Sequence, residues 1–204
     1  MKYLLGAITI MLILFLFKPK KSPVQVLNKN DTILAFGDSL TYGYNAKPNE
    51  SYPAVLARLS GHKVINAGIP AETSAEGLIR LPKLLEDKSI KLIILFFGGN
   101  DIIQKLPTKH LKSNLQNMIR MAKEKRIDIL LISVPNLSLF GLKPLELYKE
   151  IAKKEELPLL SGMMTDILET PSLKSDRIHP NAKGYKIMAE QIYEKLKKEG
   201  WLKD

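Results

Sequence analysis

Thr32-Ile33-Leu34-Ala35-Phe36-Gly37-Asp38-Ser39 decides the fold: after Thr32, four apolar residues run without a break into a glycine, an aspartate and a serine. An uninterrupted apolar run of strand length reads as a strand buried on both faces, and such strands belong to parallel sheets covered by helices. Working outward, Lys63–Asn66, Lys91–Phe97, Asp128–Val134 and a brief Pro158–Leu160 repeat the pattern. Helical periodicity fills the intervals. Ser51 is placed to cap a helix with Pro53 in its first turn, and a second helix covers Ser74–Leu85. Thr108–Lys125 aligns Leu111, Leu115, Met118, Ile119 and Ala122 on one face, and the last helix aligns Tyr185, Met188, Ala189, Ile192 and Leu196. Alternation of this kind predicts a three-layer α/β/α domain around a five-stranded parallel sheet, with ligands beyond the carboxyl ends of the strands.

Composition narrows the classes. The chain has 204 residues, 45% hydrophobic and 25% charged, which suits one domain with a sizeable core. Cysteine is absent, which excludes disulfide scaffolds, thiolate metal sites and cysteine nucleophiles. The histidines, His62, His110 and His179, lie far apart without metal-ligand spacing, so no metal is expected. His62 and His110 read as surface residues. The formal charge of +10 would suit nucleic acid, yet Lys2, Lys18, Lys20 and Lys21 flank the N-terminal apolar run. The remaining excess is interleaved with acidic residues, so it reads as a solvated surface and no nucleic acid is expected.

Tyr3–Phe17 is uncharged throughout and is bracketed by Lys2 and by Lys18-Pro19-Lys20-Lys21. It is short for a span of the hydrocarbon core, and no small-residue cleavage site follows it. The chain therefore divides into a signal-anchor or transmembrane segment (1–17), a basic linker (18–31) and a folded domain (32–204). Similar positive charge on the two sides of the run leaves its orientation open.

The strand ends carry the chemistry. After the first strand stands Gly37-Asp38-Ser39-Leu40-Thr41-Tyr42-Gly43; after the second, Asn66-Ala67-Gly68-Ile69-Pro70-Ala71-Glu72-Thr73-Ser74. Gly98-Gly99-Asn100-Asp101 follows the third, and Asp176-Arg177-Ile178-His179-Pro180-Asn181 precedes the last helix. A serine hydroxyl becomes a nucleophile when a base takes its proton, and His179 is the histidine placed at that rim. Asp176, three residues earlier, is close enough to fix the imidazole tautomer. Oxyanion donors are available in the Ser39 N–H, a turn N–H after the second strand and the Asn100 amide. Asp38 and Asp101 are read as braces of their loops, and Asn181 as a helix N-cap.

The blocks FGDSLTYGY, NAGIPAETS, GGND and DRIHPN resemble those of the GDSL, or SGNH, hydrolase family, in its bacterial thioesterase I/arylesterase/lysophospholipase branch. The likeness runs from about Thr32 to the last helix and implies the family's flavodoxin-like five-stranded sheet and serine ester hydrolysis without a cofactor. Position by position it makes Ser39 the nucleophile, Asn100 the oxyanion amide, and Asp176 and His179 the acid–base pair. The family's second backbone donor is a glycine, and the matching position here is Ala71. Arg177 stands where the branch often has glycine. There is no G-x-S-x-G elbow of the α/β-hydrolase kind.

The resemblance implies acyl esters, thioesters or lysophospholipids as substrates and an extracytoplasmic domain, with a cytoplasm-facing one as the alternative; the apolar run 3–17 would tether it to a membrane. The apolar connection Pro135–Pro144, including Phe140, together with Tyr42 and Tyr44, forms either an acyl-chain groove or packing against a neighbouring helix. Two rivals share the fold. A carbohydrate O-deacetylase would want an aromatic-lined polar cleft, whereas the single tryptophan, Trp201, lies near the C-terminus. A tethered binding protein would have no use for Ser39, Asn100, Asp176 and His179 together.

Overall fold

In a computed structural model of the chain, residues 24–138 and 141–203 are described, with side chains left out of account at 137, 138 and 141. The 1–17 segment and residues 18–23 of the linker therefore lie outside the described residues. Among those described, no helix is long and apolar enough to cross a membrane.

Five parallel strands form the sheet: β1 (Thr32–Gly37), β2 (Lys63–Gly68), β3 (Ile90–Phe96), β4 (Asp128–Ile132) and the short Leu159–Leu160, in the order β2-β1-β3-β4 with Leu159–Leu160 at the edge. The register pairs Leu34 with Ile65 on one side and with Ile93 on the other, and Ile94 with Leu130. Ile33–Phe36 are fully buried, as an uninterrupted apolar run in a central strand demands. The chain first moves from β1 out to β2 and then returns past β1 to β3. With right-handed crossovers, that reversal puts the β1–β2 helix on one face and the helices that lead into β3 and β4 on the other, and opens a crevice between the carboxyl ends of β1 and β3.

The short helix α1 (Ser39–Tyr42) leaves β1, and α2 (Tyr52–Ser60) leads into β2. Ser51 stands at the cap of α2 as expected, but its hydroxyl donates to the Pro48 carbonyl (3.0 Å) and no side-chain cap bond forms. The turn Pro48–Glu50 just before it offers a closer acceptor. Helix α3 (Ser74–Leu84) opens on a capping box in which Thr73 and Glu76 satisfy each other's backbone N–H groups. After α4 (Gly99–Ile103), α5 (Thr108–Glu124) buries the five residues of its apolar stripe against the sheet. Replacing one of them, such as Leu115, with alanine would cost about 2–5 kcal/mol.

The connection 135–144 is a correction to the sequence reading. It forms an antiparallel hairpin, β5 (Pro135–Ser138) with β6 (Gly141–Pro144), in which Asn136 faces Lys143 and Leu137 faces Leu142. Its tip, including Phe140, lies outside the described residues. Numbering on, Leu159–Leu160 is β7. Helices α6 (Glu146–Glu155) and α7 (Met163–Glu169) were not anticipated from the sequence. The last helix, α8 (Ala182–Glu199), packs beside α2 and runs from the rim to the opposite end of the sheet. There the Trp201 indole donates to Asp128 Oδ2 (2.6 Å) and the Trp201 carbonyl accepts the Leu27 N–H (2.8 Å).

Candidate active site

Ser39 is positioned by the way β1 ends. The buried Asp38 accepts the Leu40 N–H on its carboxylate (3.0 Å) and the Thr41 and Tyr42 N–H groups on its carbonyl, so the chain coils into one helical turn with Ser39 at its start. Gly37 is required just before it, because a Cβ there would overlap Thr41 Oγ1 and the Phe96 carbonyl. The close approach lets β1 turn over the end of β3.

His179 and Asp176 come from a tight loop before α8. Asp176 Oδ1 accepts the backbone N–H groups of Ile178 (2.8 Å) and His179 (2.9 Å), and Oδ2 accepts His179 Nδ1–H (2.8 Å). Below it, Ser175 N–H donates to the His179 carbonyl, and Asn181 caps α8 by accepting the Lys183 and Gly184 N–H groups. Desolvation pushes the Asp176 carboxyl up, but the hydrogen bonds from Ile178 and His179, with the charge His179 can carry, outweigh it and hold the group below its ordinary 3.8. Asp176 is thus a carboxylate at neutral pH. With Nδ1–H donated to it, Nε2 of His179 carries the lone pair, and Nε2 lies 3.1 Å from Ser39 Oγ. The imidazole is mostly covered, its side chain 13% exposed against 41% for Asp176.

Opposite the histidine, Gly98 turns the chain at φ +126° and brings Asn100 into the first turn of α4. Asn100 Nδ2 donates one hydrogen to the Glu72 carbonyl (2.9 Å) and faces Asp38 Oδ2 at a long 3.4 Å. The second hydrogen is therefore held only weakly. Ala71 sits in the left-handed region at φ +64°, in the turn after β2. Neither its N–H nor that of Ser39 is hydrogen-bonded to another described residue. That turn is pinned from beneath by a half-buried Arg80, whose guanidinium forks onto Glu72, donates to the Ala67 carbonyl (2.7 Å) and lies 4.5 Å over the Phe36 ring. Asp101, also buried, accepts the Ser74 N–H (2.9 Å) and hydroxyl (2.6 Å), tying α4 to the start of α3. The Arg80–Glu72 fork was missed from sequence; an Arg eight residues after a Glu spans no recognisable helix spacing.

Three carboxylates share this small volume. Burial, reinforced by Asp101 and Glu72 and opposed by the Leu40 N–H, pushes Asp38 up to about 7.

Ser39, Ala71, Asn100, Asp176 and His179 all line one cavity of about 390 Å3. Its walls are largely aliphatic, with Leu40, Ile102, Ile103, Val134, Met164 and Leu168 among them, and Tyr44 at the side. Tyr42 does not line it: its side chain points to solvent, 53% exposed, because the helical turn of α1 carries it off the rim. Among the described residues no cluster of three or more His, Asp or Glu is arranged to hold a metal.

Comparison with known proteins fits this geometry. Residues 35–187 match the model of the GDSL-like lipase/acylhydrolase family. The thioesterase 1/protease 1/lysophospholipase L1 of Escherichia coli K12 is 30% identical over 173 residues, which is 81% of this chain and 83% of that protein. An arylesterase of Vibrio mimicus is 27% identical over 83% of this chain and 90% of its own length. The crystal structure of the psychrotrophic esterase EstA from Pseudoalteromonas sp., inhibited by monoethylphosphonate, superposes with a TM-score of 0.74 at 27% identity, covering 82% of this chain and 97% of that one. With the sheet order, the strand-end blocks and these relatives in agreement, the chain belongs to the GDSL-like lipase/acylhydrolase family and is a carboxylic ester hydrolase of the SGNH kind.

Proposed function

We propose that the protein cleaves acyl esters and thioesters through an acyl-enzyme on Ser39. The observation that carries this is the hydrogen-bonded line Asp176–His179–Ser39 opening onto an apolar cavity that Ala71 and Asn100 also line. Ser39 Oγ attacks the acyl carbon while its proton passes to His179 Nε2, and Asp176 stabilises the resulting imidazolium. The negative oxygen of the tetrahedral intermediate accepts from the Ser39 and Ala71 N–H groups and from the Asn100 hydrogen that faces Asp38. Collapse breaks the bond to the alcohol or thiol, which takes the proton from His179. A water molecule then gives its proton to His179 and attacks the acyl carbon, and the second collapse returns Ser39 with release of the acid.

The aliphatic walls favour an apolar acyl group of short to medium length over a sugar ester, and Trp201 lies at the far end of the sheet. A fluorophosphonate probe should add to Ser39 of the wild type and not to Ser39→Ala, and Ser39→Ala should lose several orders of magnitude in turnover with its fold unchanged. Retention of more than a few per cent of the rate would end the nucleophile assignment. A series of p-nitrophenyl esters from acetate to decanoate reads the acyl preference. From the sequence, we further propose that Tyr3–Phe17 tethers the domain to a membrane with the cavity outside the cytoplasm.

A further inference from the structure

We propose that Asn45 is a positioning residue of this site, holding the Asp176 carboxylate in line with His179 through a direct hydrogen bond from the segment that follows Ser39. The inference rests on Asp176–His179–Ser39 being the acid–base line. Asp176 Oδ2 accepts two donors, His179 Nδ1 at 2.8 Å and Asn45 Nδ2 at 2.9 Å. The two bonds on Oδ1 come from within the same turn, so they shape the turn without fixing its distance from Ser39. Asn45 supplies that tie. Its Nδ2 also donates to Ser175 Oγ (3.1 Å), so both amide hydrogens are directed at the Ser175–Asp176 pair.

The segment that carries Asn45 is itself short and stiff. The Ser39 carbonyl accepts the Gly43 and Tyr44 N–H groups (both 3.1 Å), and the Tyr44 carbonyl accepts the Tyr185 hydroxyl (3.0 Å). The Tyr44 ring lies against the His179 ring, with centroids 4.7 Å apart. Asn45 then adopts φ +64°, a left-handed conformation that asparagine tolerates better than most residues, and its amide swings onto Asp176. The nucleophile's own turn is thereby joined to the acid's turn through a few residues. Since Asp176 is substantially exposed, water would otherwise compete for Oδ2 and loosen the imidazole.

Two substitutions separate this role from a merely structural one. Asn45→Gly accepts the positive φ and deletes the amide; Asn45→Asp keeps the shape and sets a second carboxylate against Asp176, in a site where His179, Tyr44 and Tyr185 are the neighbouring ionisable groups. For Asn45→Gly we expect kcat about tenfold lower with KM within about twofold, an equal fall in the rate of inactivation by a fluorophosphonate, and a melting temperature near wild type. For Asn45→Asp the acid limb of the kcat/KM profile should move to higher pH by about half a unit, because the added negative charge favours protonated His179. Wild-type kcat and an unmoved limb in both variants, or a loss of activity that only follows a loss of folded protein, would overturn the inference. Ser39→Ala is measured in parallel. If it stays active, the nucleophile reading falls and this inference with it; if it is inactive while both Asn45 variants match wild type, this inference alone falls.

Discussion

Ala71→Gly tests whether the backbone at the proposed oxyanion turn is set by its surroundings at a cost to the chain. An L-residue in the left-handed region is disfavoured by roughly 1–2 kcal/mol relative to the right-handed one, through the approach of Cβ to the following carbonyl, and Ala71 is held there at φ +64°. Glycine removes that penalty. It also gives the unfolded chain more freedom, which takes back about 0.5–1 kcal/mol. The side chain is a single methyl at an exposed position, so little packing is lost. The expected result is a net gain between zero and about 1.5 kcal/mol, which for a chain of this size raises the melting temperature by up to roughly 5 °C. Because glycine keeps the N–H, turnover should stay within about threefold of wild type. Urea unfolding at fixed pH, calorimetry and p-nitrophenyl ester kinetics measure the two halves independently. A variant destabilised by more than about 0.5 kcal/mol would show that the left-handed turn is not strained, and a hundredfold fall in kcat with stability unchanged would show that the methyl group, not the N–H, serves the reaction.

Asn100→Ala should lower kcat by on the order of 10²–10³ with a small change in KM, since the amide meets the oxygen best in the transition state; a change in KM alone would reassign it to binding. Asp38, held near 7 in the fold and ordinarily at 3.8, keeps its proton over a range where the unfolded chain has lost it, so stability should fall as pH rises from about 4 to 7. At 1.36 kcal/mol per unit the loss approaches roughly 4 kcal/mol. Asp176 is displaced the other way and acts only below about pH 4, so it does not mask the slope. Asp38→Asn should flatten the curve between pH 4.5 and 7, and an equally steep variant would sink the assignment. A chain beginning at Ser22 should stay in solution and match the full chain on water-soluble esters, while the full chain should sediment with membranes. Equal partitioning of the two would remove the proposed tether, and protease shaving of intact cells against spheroplasts would give its side.

The central architecture was legible because its signals are local. TILAF past Thr32 and KLIILFF past Lys91 have no polar residue on either face, and only a strand covered twice can bury them. That Ser39, Asn100, Asp176 and His179 meet was legible because all four stand at strand ends or a helix entry that one sheet brings to one rim. What stayed hidden depends on directions that sequence does not encode. Tyr42 and Tyr44 look equivalent two residues apart, yet the turn after α1 sends Tyr44 against His179 and Tyr42 into solvent. Asn45 reads as a turn residue, but its partner lies 131 positions away. The hairpin at 135–144 carries prolines at both ends, which reads as a loop; they are the outermost pair of the ladder, where a missing N–H costs least.

The bond between Leu27 and Trp201 gives the protein a handle. Past that bond β1 climbs six residues, about 20 Å, toward Ser39, and α8 descends 18 residues, about 27 Å, from the Asp176–His179 loop. The two ends of the domain thus stand side by side at the pole farthest from the cavity. Whatever is attached there, a bead, a partner domain or a bilayer, leaves the mouth open to substrate arriving from the other hemisphere. The same adjacency suits circular permutation: joining the ends closes a gap already spanned by a hydrogen bond, so a new start and finish opened at the exposed turn after α2, around Gly61, should leave the reacting groups where they are.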